Sequence, residues 1–148
     1  MNSVDEILDF AIQREQEAAD FYDGLAQRVE SAWMKEMLLS FKAEELRHKG
    51  KLKSVKKGEQ LLSSSQRVQD LKISDYLVDV QPTPDITLQD AMIIAMKREK
   101  MAHRLYSDLA AKAQDPQMQE LFAGLAKEEA RHKLYFEEQY DEQVMRDN

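Results

Sequence analysis

Glutamate and histidine stand three residues apart twice in this chain, as Glu45 and His48 and again as Glu129 and His132. At that spacing a carboxylate and an imidazole share one helix face and could ligate the same metal ion. A single pair of this kind is most often a solvated surface pair. Two further glutamates change the reading. Glu15 interrupts an apolar stripe of helical period, Leu8, Ala11, Ile12, Ala18, Ala19 and Tyr22, and Glu99 does the same among Ala91, Met92, Ala95, Ala102, Leu105 and Tyr106. Such a stripe faces the core, so both carboxylates point inward. Glu45 and His48 fall on the stripe 34, 38, 41, 45, 48, 52, and Glu129 and His132 on 118, 122, 125, 129, 132, 136.

Four carboxylates cannot be buried together uncompensated, because even one buried charge costs about several kcal/mol and like charges add to it. Two divalent cations would cancel the four charges and accept two neutral imidazoles. The expected metal ligands are therefore Glu15, Glu45, His48, Glu99, Glu129 and His132. A Glu from each of two helices with Glu-x-x-His from the other two is the dinuclear carboxylate pattern. Oxygen and imidazole donors suit iron or manganese, and zinc is compatible with them. The chain has no cysteine, which removes disulfides, thiolate zinc, iron–sulfur clusters and cysteine nucleophiles together.

These groups belong to a repeat. Displaced by 84 positions, the sequence matches itself without a gap: Arg14 and Glu15 fall on Arg98 and Glu99, Ala18 on Ala102, Tyr22 on Tyr106, and Leu25-Ala26 on Leu109-Ala110. Met34 falls on Met118, Glu44-Glu45 on Glu128-Glu129, and Arg47-His48-Lys49 on Arg131-His132-Lys133. Each copy reads as a helical hairpin. In the first, spanning about 4–56, Ser3 with Glu6 forms a capping box and Ser31 is the N-cap of the second helix. In the second, about 88–141, Thr87 with Asp90 resembles a start signal, and Asp115-Pro116 places Pro at the first position of the last helix. Glu15 precedes the first turn by about as many residues as Glu45 follows it. Both then lie roughly 22 Å from the turn. Glu99 and Glu129 are placed likewise, so all six groups can meet at one level.

Residues 57–87 form the crossover, a link long enough to run the length of a bundle. Gly58 to Gln66 is polar and serine-rich, Asp70 to Val78 reads as a short helix, and Pro82-Thr83-Pro84 breaks helix. The expected fold is all-α, a four-helix bundle of two repeated hairpins joined by one long crossover, in a single domain over 1–148. Composition agrees: 43% apolar, 33% charged, four Gly and three Pro.

A net charge of −7 argues against nucleic acid as a partner. The run from Lys49 to Lys57 reads as a solvated helix end whose cations complement the dipole. No stretch approaches the ~20 apolar residues of a membrane span. The N-terminus lacks the pattern of a signal peptide, so the expected compartment is the cytoplasm. Around the ligand set, Tyr22 and Tyr106 read as core residues whose hydroxyls can reach a carboxylate from a second layer. Glu44 and Glu128 sit one step off the stripes and read as solvated salt-bridge partners. His103 aligns with Ala19 and reads as a helix-flank histidine. Trp33 and the methionines are core candidates.

The segments Glu15…Ala18…Phe21-Tyr22…Leu25-Ala26, Glu44-Glu45-Leu46-Arg47-His48, Glu99…Ala102…Tyr106…Leu109-Ala110 and Glu128-Glu129-Ala130-Arg131-His132 resemble the rubrerythrin branch of the ferritin-like superfamily. The resemblance covers both hairpins. It implies a diiron site that reacts with hydrogen peroxide or oxygen and is re-reduced by a donor, with Glu15, Glu45, Glu99 and Glu129 as carboxylate ligands and His48 and His132 as nitrogen ligands. Iron rather than manganese rests on the resemblance, as does a homodimer. Two departures stand out. The four cysteines of a rubredoxin module are missing from this chain, so electrons would come from an external donor protein. The extra Glu that such proteins often carry one turn after the third-helix ligand is here Ala102.

The expected function is therefore a diiron oxidoreductase of peroxidase or ferroxidase type. The alternatives are an iron-handling protein without peroxidase turnover, a dimanganese catalase-like enzyme, and a metal-free helical interaction domain.

Overall fold

The free N–H groups at a helix start need acceptors, and the sequence supplies one at each start here. In the computed structural model, Ser3 accepts from Glu6 N while Glu6 reaches back to the Ser3 backbone, opening α1, Val4–Arg28. Ser31 accepts from Met34 N and opens α2, Ala32–Lys57. Thr87 accepts from Asp90 N and opens α3, Leu88–Lys112. Asp115 accepts from Gln117 N at the head of α4, Pro116–Asp147. The structure describes residues 2–58, 71–78, 80 and 82–147, the last five as backbone alone. No strand occurs among them. The fold is all-α, with four long helices, the element set of the ferritin-like four-helix bundle.

The chain divides into two compact units, Met1–Ile73 and Ser74–Asn148. In the first, the three residues between α1 and α2 leave the helices little choice but to run antiparallel and pack together. Ile7, Leu8, Ala11, Ala18, Ala19, Tyr22, Leu25 and Ala26 are buried on α1, and Leu38, Phe41, Leu52 and Val55 on α2. The Tyr22 ring meets Phe41 edge-on at 6.1 Å. Three polar rungs run along the hairpin: Asp9 with Lys56, Gln16 with Lys49 at 2.6 Å, and Asp23 with Lys42 at 3.1 Å. Each step of seven up α1 is a step of seven down α2, so the rungs fix one register. The two ion pairs, largely open to solvent, contribute only ~0–1 kcal/mol each, so the main effect of the rungs is alignment. Asn2 ties in the far end of this unit, donating from N to Leu71 O and accepting from Ile73 N.

In the second unit α3 and α4 pack as an equivalent hairpin. Ala91, Met92, Ile94, Ala95, Leu105, Tyr106 and Leu109 are buried on α3, and Met118, Phe122, Leu125 and Phe136 on α4. Gln119 closes the turn by donating to Ala113 O at 2.8 Å. The short helix expected between Asp70 and Val78 is a single 3-10 turn, Ile73–Tyr76. Asp70 and most of the serine-rich segment lie outside the described residues. The turn is held by side chains: the Tyr76 hydroxyl donates to Asp108 at 2.6 Å, and the Arg104 guanidinium lies over the Tyr76 ring. Helix α4 runs past the expected end near 141 to Asp147, since no glycine or proline interrupts it there.

Trp33 is not a core residue. It is 57% exposed, because position 33 lies roughly 100° around α2 from Met34, which starts the buried stripe. Ile12, Met37 and Ala102, expected on inner faces or in the core, are half-buried, and Phe10 and Ile94 join the core instead.

Candidate metal centre

Each hairpin brings one Glu from its first helix against the Glu-x-x-His of its second. In the first unit the register places Glu15 of α1 opposite His48 of α2, with His48 Nδ1 3.2 Å from Glu15 Oε2 and 3.4 Å from Glu45 Oε1. In the second, His132 Nδ1 lies 3.6 Å from Glu99 Oε2 and 3.5 Å from Glu129 Oε1. All six side chains are buried, none more than 2% exposed. Glu15, Glu45 and His48 each offer a ligand atom within 4.8 Å of the others, and so do Glu99, Glu129 and His132. Both histidines turn the same nitrogen, Nδ1, toward their carboxylates.

The electrostatics follow from that crowding. Burial works against a charged imidazole, but the facing carboxylates of Glu129 and Glu99 outweigh it and push the His132 pKa up to about 10. One imidazolium still offsets only one of two carboxylates in its group. A dication matches the charge of both, and carboxylate oxygen with imidazole nitrogen is a donor set that first-row metals accept. Each group could hold a metal ion on this ground.

The other residues singled out in the sequence lie around these groups in different ways. Tyr22 and Tyr106 are fully buried. Glu44, one step off the stripe, is half-buried and 3.9 Å from Arg47, and Glu128 is half-buried on α4. His103 Nδ1 is 2.8 Å from Ala126 O, an α3–α4 contact outside the acidic group. Two features escaped the sequence reading. The Asp9, Gln16, Asp23 series and the Lys42, Lys49, Lys56 series share a heptad spacing in opposite directions, a signal that was present. The Tyr76–Asp108 bond spans 32 positions and had none.

No helix among the described residues is long and apolar enough to cross a membrane. No curated protein and no solved structure matches the chain. One protein-family model does match, that of rubrerythrin, over residues 6–140.

Proposed function

Since the chain belongs to the rubrerythrin family, we propose that its two Glu/Glu/His groups together bind a pair of metal ions, iron in the first place, and that the loaded protein is an oxidoreductase. Its substrate would be hydrogen peroxide or oxygen, and its electrons would come from a separate donor protein. The observation that carries this reading is the duplication itself: the same buried donor set, two carboxylates and one imidazole, in both hairpins.

A redox-active metal pair supplies electrons to an oxygen–oxygen bond and stabilises the charge that develops on oxygen. The chain's own residues do the rest. Glu15, Glu45, Glu99 and Glu129 provide the negative charge that selects dications. His48 and His132 turn Nδ1 toward their carboxylates and would be the nitrogen donors, and a proton held by His132 would have to be given up to a bound cation. Burial of all six side chains keeps bulk water away and strengthens each charge interaction. Tyr22 and Tyr106 belong to the apolar wall that fixes the carboxylate-bearing helices.

The absence of cysteine from the chain favours one second reading, ferroxidase activity and iron handling without sustained peroxide turnover. An electron carrier built on cysteine-ligated iron cannot reside in these residues. A dimanganese catalase-like centre uses the same donor types, and metal content of protein from its native host separates it from the iron readings.

The test is anaerobic loading with ferrous ion followed by stopped-flow mixing with peroxide. Two irons per chain, oxidised faster than free ferrous ion, is the expected result. Oxidation no faster than free ion removes the oxidoreductase reading. Repeated turnover on adding a reductant decides between peroxidase and single-cycle iron handling.

A further inference from the structure

The repeat that preserves the acidic groups breaks in the charge of the helix segments beyond them. Residues 46–57 of α2 carry six cations, Arg47, Lys49, Lys51, Lys53, Lys56 and Lys57, and no carboxylate. The equivalent residues of α4, 130–141, carry two cations and three carboxylates. With the whole chain at −7, setting those six cations aside leaves −13 on the rest. Complementing the helix dipole accounts for Lys56 and Lys57 in the last turn of α2, and not for Arg47, Lys51 and Lys53 further back. Lys49 and Lys56 reach across to α1, at Gln16 and Asp9. Arg47, Lys51, Lys53 and Lys57 are exposed, and the three lysines meet no carboxylate among the described residues. We propose that this side of α2 docks on an anionic lipid surface, with the helix lying along the phosphate headgroups.

Leu39, Leu46 and Lys53 follow one another at intervals of seven, with Lys57 one turn later, so the four share one line down α2. At roughly 100° per residue that line runs on the side of the helix opposite His48. Leu39 is 37% exposed and Leu46 38%. A plane laid along the line meets apolar side chains over one half and ammonium groups over the other, with Arg47 and Lys51 beside them. Gly50, also exposed, raises no side chain between them. Lipid answers both halves. The leucines enter the acyl boundary, and the lysine stems lie beside them while each ammonium stays at a phosphate. A nucleic acid answers the cations alone, and four are few for a chain otherwise so acidic. A folded acidic protein holds its carboxylates at fixed points. Three of the four cations are lysines, mobile point charges without the rigid fork of arginine, and they suit headgroups that rearrange beneath them. The carboxylates of α1 stand about one helix diameter behind this face, ~10 Å, beyond the ~8 Å over which salt screens at physiological strength. They therefore do not cancel its field.

Sedimentation of the full chain with vesicles tests this. The protein should bind vesicles of phosphatidylglycerol mixed with phosphatidylcholine, should ignore phosphatidylcholine alone, and should be released as salt rises. Lys51→Gln, Lys53→Gln and Lys57→Gln should each weaken binding about fivefold at unchanged helix content. Lys97→Gln and Lys100→Gln remove the same charge from exposed positions of α3 and should leave binding as it is. Leu46→Gln should also weaken binding, which a contact of charges alone would not show. The chain has no cysteine, so the docked face can be read directly. A polarity-sensitive dye on Ser54→Cys should shift to the blue on the vesicles, and the same dye on Lys97→Cys should not. No binding to the anionic vesicles at low salt, equal binding to both vesicle types, or equal losses from the α3 substitutions would each overturn the proposal. So would a Leu46→Gln chain that binds like the native one, a blue shift at Lys97→Cys equal to that at Ser54→Cys, or a preference for double-stranded DNA or polyglutamate over the vesicles at matched charge.

Discussion

His48 Nδ1 lies 3.2 Å from Glu15 Oε2, a contact made across 33 positions of sequence between two antiparallel helices. Its counterpart in the second hairpin, His132 to Glu99, is 3.6 Å. Two contacts of the same atoms in the two halves of a repeat mean that the hairpin register, and not one local accident, positions the donors. The consequences can be measured.

Metal binding should stabilise the native protein. A cation that binds only the folded state at a hundred times its Kd adds about 2.7 kcal/mol. Ferrous ion should therefore raise the melting temperature, and Glu45→Ala and Glu129→Ala should each remove most of that rise. A rise that persists in both variants would exclude these carboxylates as ligands.

The pH dependence of the metal-free protein should run opposite to that of metal binding. His132 has its pKa raised from 6.5 to about 10, chiefly against the burial that would lower it, by the Glu129 and Glu99 carboxylates. A raised folded-state pKa gives stability that is complete below 6.5 and is lost as pH climbs toward 10. Metal affinity should rise over the same interval, since protons compete for Nδ1. Melting curves of the apo protein and metal titrations, taken from pH 6 to 9, should show opposite slopes, and His132→Gln should flatten the first.

Tyr76→Phe should destabilise the second unit without touching metal affinity. The lost hydrogen bond has an ionised acceptor, Asp108, which makes it worth about 1.5–3 kcal/mol. Urea denaturation should show the loss, and a metal titration should be unchanged. Burial and the same carboxylate raise the Tyr76 pKa, so the phenol stays protonated through the neutral range.

Gly124→Ala should stabilise the protein by about 0.5–1 kcal/mol. Gly124 lies inside α4 with an ordinary helical backbone, and an added Cβ would meet nothing within 4 Å. Thermal melting of the variant checks this, and a lowered midpoint would mean that the glycine is needed for a contact beyond the chain.

The helices and the inward groups are legible along the chain, because both depend on neighbours a few residues apart. Caps at Ser3, Ser31, Thr87 and Asp115 mark the starts, and the stripes containing Glu15, Glu45, His48, Glu99, Glu129 and His132 follow from helical periodicity. The repeat reinforced the reading, since two copies rarely share an interrupted stripe without a common task. Which histidine nitrogen faces the carboxylates is fixed by the folded hairpins and not by local spacing. That depends on side-chain torsions set by packing across a hairpin. Tertiary packing also turned Trp33 outward, where a single step around α2 from Met34 outweighs the preference of a large apolar side chain for the core. The same holds for the Tyr76–Asp108 bond, which joins a 3-10 turn to a helix 32 residues away. Periodicity is a property of one element and can be read along the chain, whereas an atom-to-atom contact between elements exists only once their register has been set.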